Sequence, residues 1–211
     1  PVDSDISLKR LLGLLTNRDV LLMSVAYVLM NYTFYLLSNW SFLYLVQERR
    51  FSVLASGWLA VAPAFAAAIG AGVGGILTGV LCKRFGNRWG FRLMPLCALP
   101  VAGLLVLVAV SVANPYLAVV ALALSFGCLE LTEGAFWGGA ITIGRGDSMA
   151  VCGVLNTGGN LGGIIGIPIV AYLSGHGAWH MAFYIGAGSA VATAAAWLWI
   201  DAGRSLTDPH A

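Results

Sequence analysis

The sequence predicts an all-α integral membrane protein with six transmembrane helices. Three observations point there. The chain of 211 residues is 59% hydrophobic and only 9% charged, where a soluble domain carries roughly 25% charged residues. Its apolar stretches suit helical spans of about 20 residues, not barrel strands of about ten alternating residues. Its loop charges fall mostly on one side of the predicted membrane.

In chain order, residues 1–19 form a polar lead-in with Lys9, Arg10 and Arg18. The LLGLL run inside it suits a short helix lying on the membrane surface. Six apolar stretches follow, at 20–46, 55–81, 93–112, 116–143, 149–173 and 179–200, and residues 201–211 form a tail. Pro63, Pro100 and Pro168 lie within spans and predict kinks.

Six crossings from a cytoplasmic N-terminus put Lys9, Arg10, Arg18, Lys83, Arg84, Arg88, Arg92, Arg145 and Arg204 inside. Only Arg49 and Arg50 fall outside. This bias predicts that both termini are cytoplasmic. The spans also divide into two sets of three of matching character. The first and fourth carry polar aromatic and acidic residues, the second and fifth are rich in Gly, and the third and sixth are plain Leu, Val and Ala. Such a 3+3 arrangement with an odd number of spans per repeat inverts one repeat relative to the other.

Several classes are set aside. Cys82, Cys97, Cys128 and Cys152 show no metal-like spacing, so they read as packing residues. No cleavable signal peptide is visible. The first residue is Pro rather than Met, so a piece of a longer protein is expected. An intramembrane protease needs a nucleophile and a base within the membrane. Here His176 and His180 fall in a loop and His210 in the tail, with no Ser paired to them, so no enzyme and no catalytic residue is expected. The glycines lack the Lys-Ser/Thr that a phosphate-binding loop requires. No cofactor, metal or nucleic-acid partner is expected.

The polar residues concentrate in 130–168 and on the first span. Tyr27, Asn31, Tyr35 and Ser38 recur at helical spacing and make one stripe, suited to lining a cavity or to bonding a neighbouring helix. On the fourth span Glu130, Glu133 and Trp137 share a face. Carboxyls in hydrocarbon are expensive, and no Lys or Arg lies inside any predicted span to pair with them. Glu130 and Glu133 are therefore candidate proton sites, with a neutral, hydrogen-bonded carboxyl as the alternative. On the fifth span Asn156 and Asn160 stand one turn apart, among Gly158, Gly159, Gly162, Gly163 and Gly166. Small residues at this spacing let helices approach closely. Gly70/Gly74 and Gly75/Gly79 repeat the style on the second span.

Between the second and third spans, GGILTGVLCKRFGNRWGFR puts four basic residues in one turn. An orientation signal with lipid headgroup contact would explain the charges. The stretch also resembles the loop motif of the major facilitator superfamily, although Gly79 stands where that motif has Asp. Residues 31–40, 130–137 and 156–168 look like the C-terminal half of its anion:cation symporter branch.

The resemblance implies a twelve-helix carrier of which this chain is one half, its partner being a missing N-terminal six-helix half. It implies proton-coupled symport of a small organic anion, such as a sugar acid or an aromatic carboxylate, across a cell inner membrane. It places substrate contacts at Tyr35 or Asn31, at Trp137, and at Asn156 or Asn160. Glu130 and Glu133 are not carried over from the family, and their case rests on burial. The rival expectation is a stand-alone or truncated six-helix membrane protein that does not transport.

Overall fold

The computed structural model of the chain describes residues 13–204 and 206. Lys9, Arg10, His210 and most of the amphipathic lead-in lie outside them. Among the described residues every regular element is helical. In chain order these are α1 (Arg18–Gln47), α2 (Val53–Leu59), α3 (Val61–Ser111), α4 (Pro115–Glu130), α5 (Glu133–Gly144), a 3-10 turn (Arg145–Asp147), α6 (Ser148–Gly175) and α7 (Trp179–Ala196).

This corrects the expected fold. Six separate spanning helices, and half of a twelve-helix architecture, are not shown. Three helical stretches are long and apolar enough to cross a membrane: Arg18–Gln47, Val53–Ser111 and Pro115–Gly175. By length and composition they suit a membrane, and the class is all-α. The departure from six separate spans has physical reasons. Lys and Arg are good helix formers, so helical geometry extends into the basic stretch from both sides, and the turn between the second and third stretches narrows to Gly86. The polar residues Arg145–Asp147 tighten into a 3-10 turn. Helix α7 is 18 residues long, but Trp179, His180, Tyr184 and its small residues dilute its apolar character.

The break in α3 falls at Gly86, with φ 75° and ψ 163°. A straight helix would separate Cys82 from Gly90 by about 12 Å. Instead, a Cβ added to Gly90 would collide with the Cys82 backbone. The chain therefore folds back at Gly86, leaving two arms, 61–85 and 87–111. The predicted proline kinks are not where the backbone breaks. Pro63 sits in the first turn of α3, where a missing N–H is harmless. Pro100 and Pro168 lie inside helices that continue past them.

Caps fix the helix ends. The Asn17 carboxamide accepts from the N–H groups of Asp19 and Val20, and Asn114 does the same ahead of Pro115. Arg49 closes the far end of α3. Its guanidinium donates to the Tyr44 hydroxyl and the Val112 carbonyl, both at 2.8 Å, and to the Ala109 carbonyl. Those carbonyls end a helix and have no later N–H to accept.

Packing joins α1 to α6 and α7, α3 to α4, α5 and α7, and α5 to α6. Fully buried Tyr44, Phe136, Phe183, Trp179 and Trp197 form much of the core. Leu54, Trp58, Phe65, Ile76 and Ile164 are largely exposed, as lipid-facing side chains are.

Two helix pairs approach through glycine. A Cβ on Gly158, Gly162 or Gly166 would meet Ser24, Val28 or Tyr32 of α1, while Gly159 and Gly163 lie under the rings of Tyr27 and Tyr35. The register advances in step, so α1 and α6 run parallel. On the other side Gly70 and Gly74 abut the backbones of Gly127 and Leu131. Gly79 meets nothing, and Gly75 has open space around its own Cβ position.

Candidate functional site

Glu133 is the first residue of α5, where unpaired N–H groups and the helix dipole favour a carboxylate. Two aromatic donors hold it. The Tyr27 hydroxyl lies 3.2 and 3.1 Å from its two carboxylate oxygens, and the Trp137 indole N–H donates to Oε2 at 2.6 Å. The Tyr27 ring sits edge-on to Trp137, with centroids 6.3 Å apart, and tilted on Phe136 at 4.8 Å. Tyr27 is buried, while Glu133 and Trp137 are half-buried. No cationic side chain bonds Glu133 among the described residues. The carboxylate is therefore oriented but not neutralised.

Glu130 does not join this group. It is the last residue of α4, ahead of the two-residue turn Leu131–Thr132. It is buried, and its Oε1 has no hydrogen-bond partner. The face expected to hold Glu130, Glu133 and Trp137 thus divides into a bonded pair and a lone acid. Between them, the Thr132 N–H reaches back three residues to Leu129, and the Thr132 hydroxyl closes on the same carbonyl.

Along α1 the polar stripe continues. Buried Asn31 donates to the Tyr27 carbonyl at 2.9 Å and packs on Gly159 and Gly162. One turn further, the Tyr35 hydroxyl lies 3.5 Å from the Asn160 carboxamide oxygen. Asn160 itself donates to the Asn156 carbonyl at 2.8 Å. Tyr35 and Asn160 line a cavity of about 360 Å³ with Gly163, Ile164, Ile167 and Pro168. Asn156 is exposed and outside that lining, and Ser38 is exposed and bonded to Asn39. The predicted residues therefore gather at two places on α1: a carboxylate focus at Tyr27–Glu133–Trp137 and an amide focus at Tyr35–Asn160.

No protein-family model matches this chain. No curated protein matches it either.

Among the described residues, no group of three or more His, Cys, Asp or Glu converges to hold a metal. The arrangement can hold a proton, or accept hydrogen bonds from a small solute, at Glu133. It can offer a hydroxyl and an amide at Tyr35 and Asn160.

Sequence reasoning missed a second cluster. Asp201, near the C-terminal end, pairs with Arg88 at 3.3 Å and Arg204 at 3.6 Å. Its N–H donates to Asp19 at 2.9 Å. Arg92, expected in a loop, is 5% exposed and donates from Nε to the Ile200 carbonyl at 2.7 Å. The available signal was the pair of acids, Asp19 and Asp201, at opposite ends of the apolar region.

Proposed function

We propose that this chain belongs to a secondary carrier that couples proton movement to uptake of a small organic anion. The transport class comes from the resemblance of residues 31–40, 130–137 and 156–168 to organic-anion symporters. One observation carries the reading: Glu133, in a membrane helix, is held by Tyr27 and Trp137 with no bonded cation among the described residues.

An ionised carboxylate only accepts hydrogen bonds; a protonated one also donates. Taking up a proton at Glu133 removes a charge from the membrane interior and changes what Tyr27 and Trp137 can offer a neighbouring solute. An anionic solute and its proton then enter together with less net charge to desolvate. Tyr35 and Asn160 supply donors for the solute's oxygens, beside a cavity of about 360 Å³, within the range of about 300–1,000 Å³ typical of small-molecule sites. Glu130 is the second proton site. The carrier sits in a cell inner membrane with both termini cytoplasmic: Asp19 and Asp201, near the two ends, are bonded to each other, and the arginines beside them, Arg18, Arg88, Arg92 and Arg204, suit the cytoplasmic face.

The test is uptake of a panel of organic acids by the full-length protein in proteoliposomes, with and without an imposed proton gradient. Gradient-driven accumulation of one anion class supports the reading. Uptake indifferent to the gradient, or none by folded protein, overturns it.

A further inference from the structure

Where residues 17–19, 88–92 and 198–204 meet, the surface sinks into a polar basin of about 280 Å³. Its walls carry four guanidinium groups, Arg18, Arg88, Arg92 and Arg204, against two carboxylates, Asp19 and Asp201. Positive charge is in excess. The carboxylates are also partly spoken for. Asp201 Oδ2 lies near the Nε atoms of Arg88 and Arg204, its Oδ1 accepts the Gly203 N–H, and Asp19 accepts the Asp201 N–H.

Arg92 makes the imbalance sharp. It is nearly buried, its Nε donates to the Ile200 carbonyl, and no carboxylate lies within ion-pair distance of it among the described residues. A buried guanidinium whose nearest carboxylates, Asp19 and Asp201, stand beyond ion-pair distance and are already bonded elsewhere gains from an anion that comes to it. Its bidentate geometry suits phosphate oxygens. Arg18 also has no bonded partner among the described residues.

Two aromatic residues give the depth. Trp199 is part of the wall, and Trp89 stacks on Arg92 at 5.6 Å. Both are about half exposed, with Leu198 beside them. Tryptophan at the edge of an apolar region marks headgroup level.

We propose that this basin binds a phosphate group, supplied by the headgroup of an anionic membrane lipid. It is separate from the carboxylate and amide foci and independent of any transport role. Arg92 holds one face of the phosphate and Arg88 and Arg204 the other, while Arg18 closes the rim. The Asp201 contacts keep Arg88 and Arg204 in position when the site is empty.

The experiment uses the full chain, purified and delipidated, with binding read from tryptophan fluorescence. The probes are short-chain phosphatidic acid, the matching diacylglycerol without phosphate, and inorganic phosphate. Saturable binding of phosphatidic acid, absent for diacylglycerol and not displaced by inorganic phosphate, is the expected result. Displacement by inorganic phosphate at equal concentration would keep the phosphate site and assign it to a soluble source. Arg92→Gln and Arg18→Gln should each weaken phosphatidic acid binding by about fivefold. Arg18 lies on the rim without a bonded partner among the described residues, so its variant reports on the site even if Arg92→Gln misfolds. Equal binding of phosphatidic acid and diacylglycerol, or wild-type affinity in a folded Arg18→Gln, overturns the proposal.

Discussion

The indole N–H of Trp137 donates to the Glu133 carboxylate over 2.6 Å, one turn along the same helix. That bond fixes which way the acid points, because the Tyr27 hydroxyl approaches both of its oxygens from another helix. Removing the donor while keeping an aromatic ring isolates its role. Trp137→Phe is expected to lower thermal stability by about 1.5 kcal/mol, the value of a hydrogen bond to a charged acceptor. In a transport assay it should weaken solute affinity by roughly tenfold, ~1.4 kcal/mol. Wild-type melting and affinity would return Trp137 to packing alone.

Glu133→Gln keeps the size and hydrogen-bonding capacity of the side chain and removes its proton chemistry. Uptake by this variant should lose its pH dependence or stop, with expression and melting near wild type. Unchanged pH-dependent uptake would exclude Glu133 from coupling.

The glycine contacts give a paired prediction. A Cβ at Gly162 would stand 2.5 Å from the Val28 carbonyl oxygen, whereas one at Gly153 meets nothing within 4 Å. Gly162→Ala should therefore force α1 and α6 apart and lower stability by about 1–3 kcal/mol, as overpacking does. Gly153→Ala should raise stability by about 0.5–1 kcal/mol, through helix propensity alone. Melting curves of the two purified variants check this. Equal effects would refute the close parallel contact.

Gly86 carries φ 75° and ψ 163°, a region open essentially to glycine. Open space surrounds its Cβ position, so any penalty on substitution is backbone strain and not a clash. Gly86→Ala should lower stability by about 1–3 kcal/mol, read by thermal melting. No change would mean that the reversal between the arms of α3 adopts another geometry.

Arg49 serves three acceptors at once: the Tyr44 hydroxyl and the carbonyls of Ala109 and Val112. Arg49→Ala should leave the Val112 carbonyl without that donor, while the Ala109 carbonyl keeps its bond from the Tyr44 hydroxyl at 3.3 Å, and lower stability by about 1–2 kcal/mol. Arg50, its neighbour, makes none of these bonds, so Arg50→Ala is the control and should melt near wild type.

What the sequence made legible was local. The first helix was expected over 20–46 and runs over Arg18–Gln47, because one unbroken apolar run defines it. The glycines of 158–166 announced a close contact through their spacing, and Ser24, Val28 and Tyr32 provide it. Hydropathy gave no warning that helical geometry would extend into the basic residues on both sides of Gly86, since a charged helix and a charged loop have the same composition. It also hid the link of Arg92 to Ile200, 108 residues away; no periodicity records a partner so distant. At the carboxylate focus the residue types were readable, but the division between Glu133 and Glu130 was not. It depends on the turn at Leu131–Thr132, which no Pro or Gly marks.

The long reach of Tyr27 has a consequence for biogenesis. Its carboxylate partner lies 106 residues later in the chain, so a ribosome adding roughly 5–20 residues per second leaves the hydroxyl without that partner for about 5–20 s. The first helix must wait in the translocation channel, or in the care of an insertase, before its neighbours emerge to receive it.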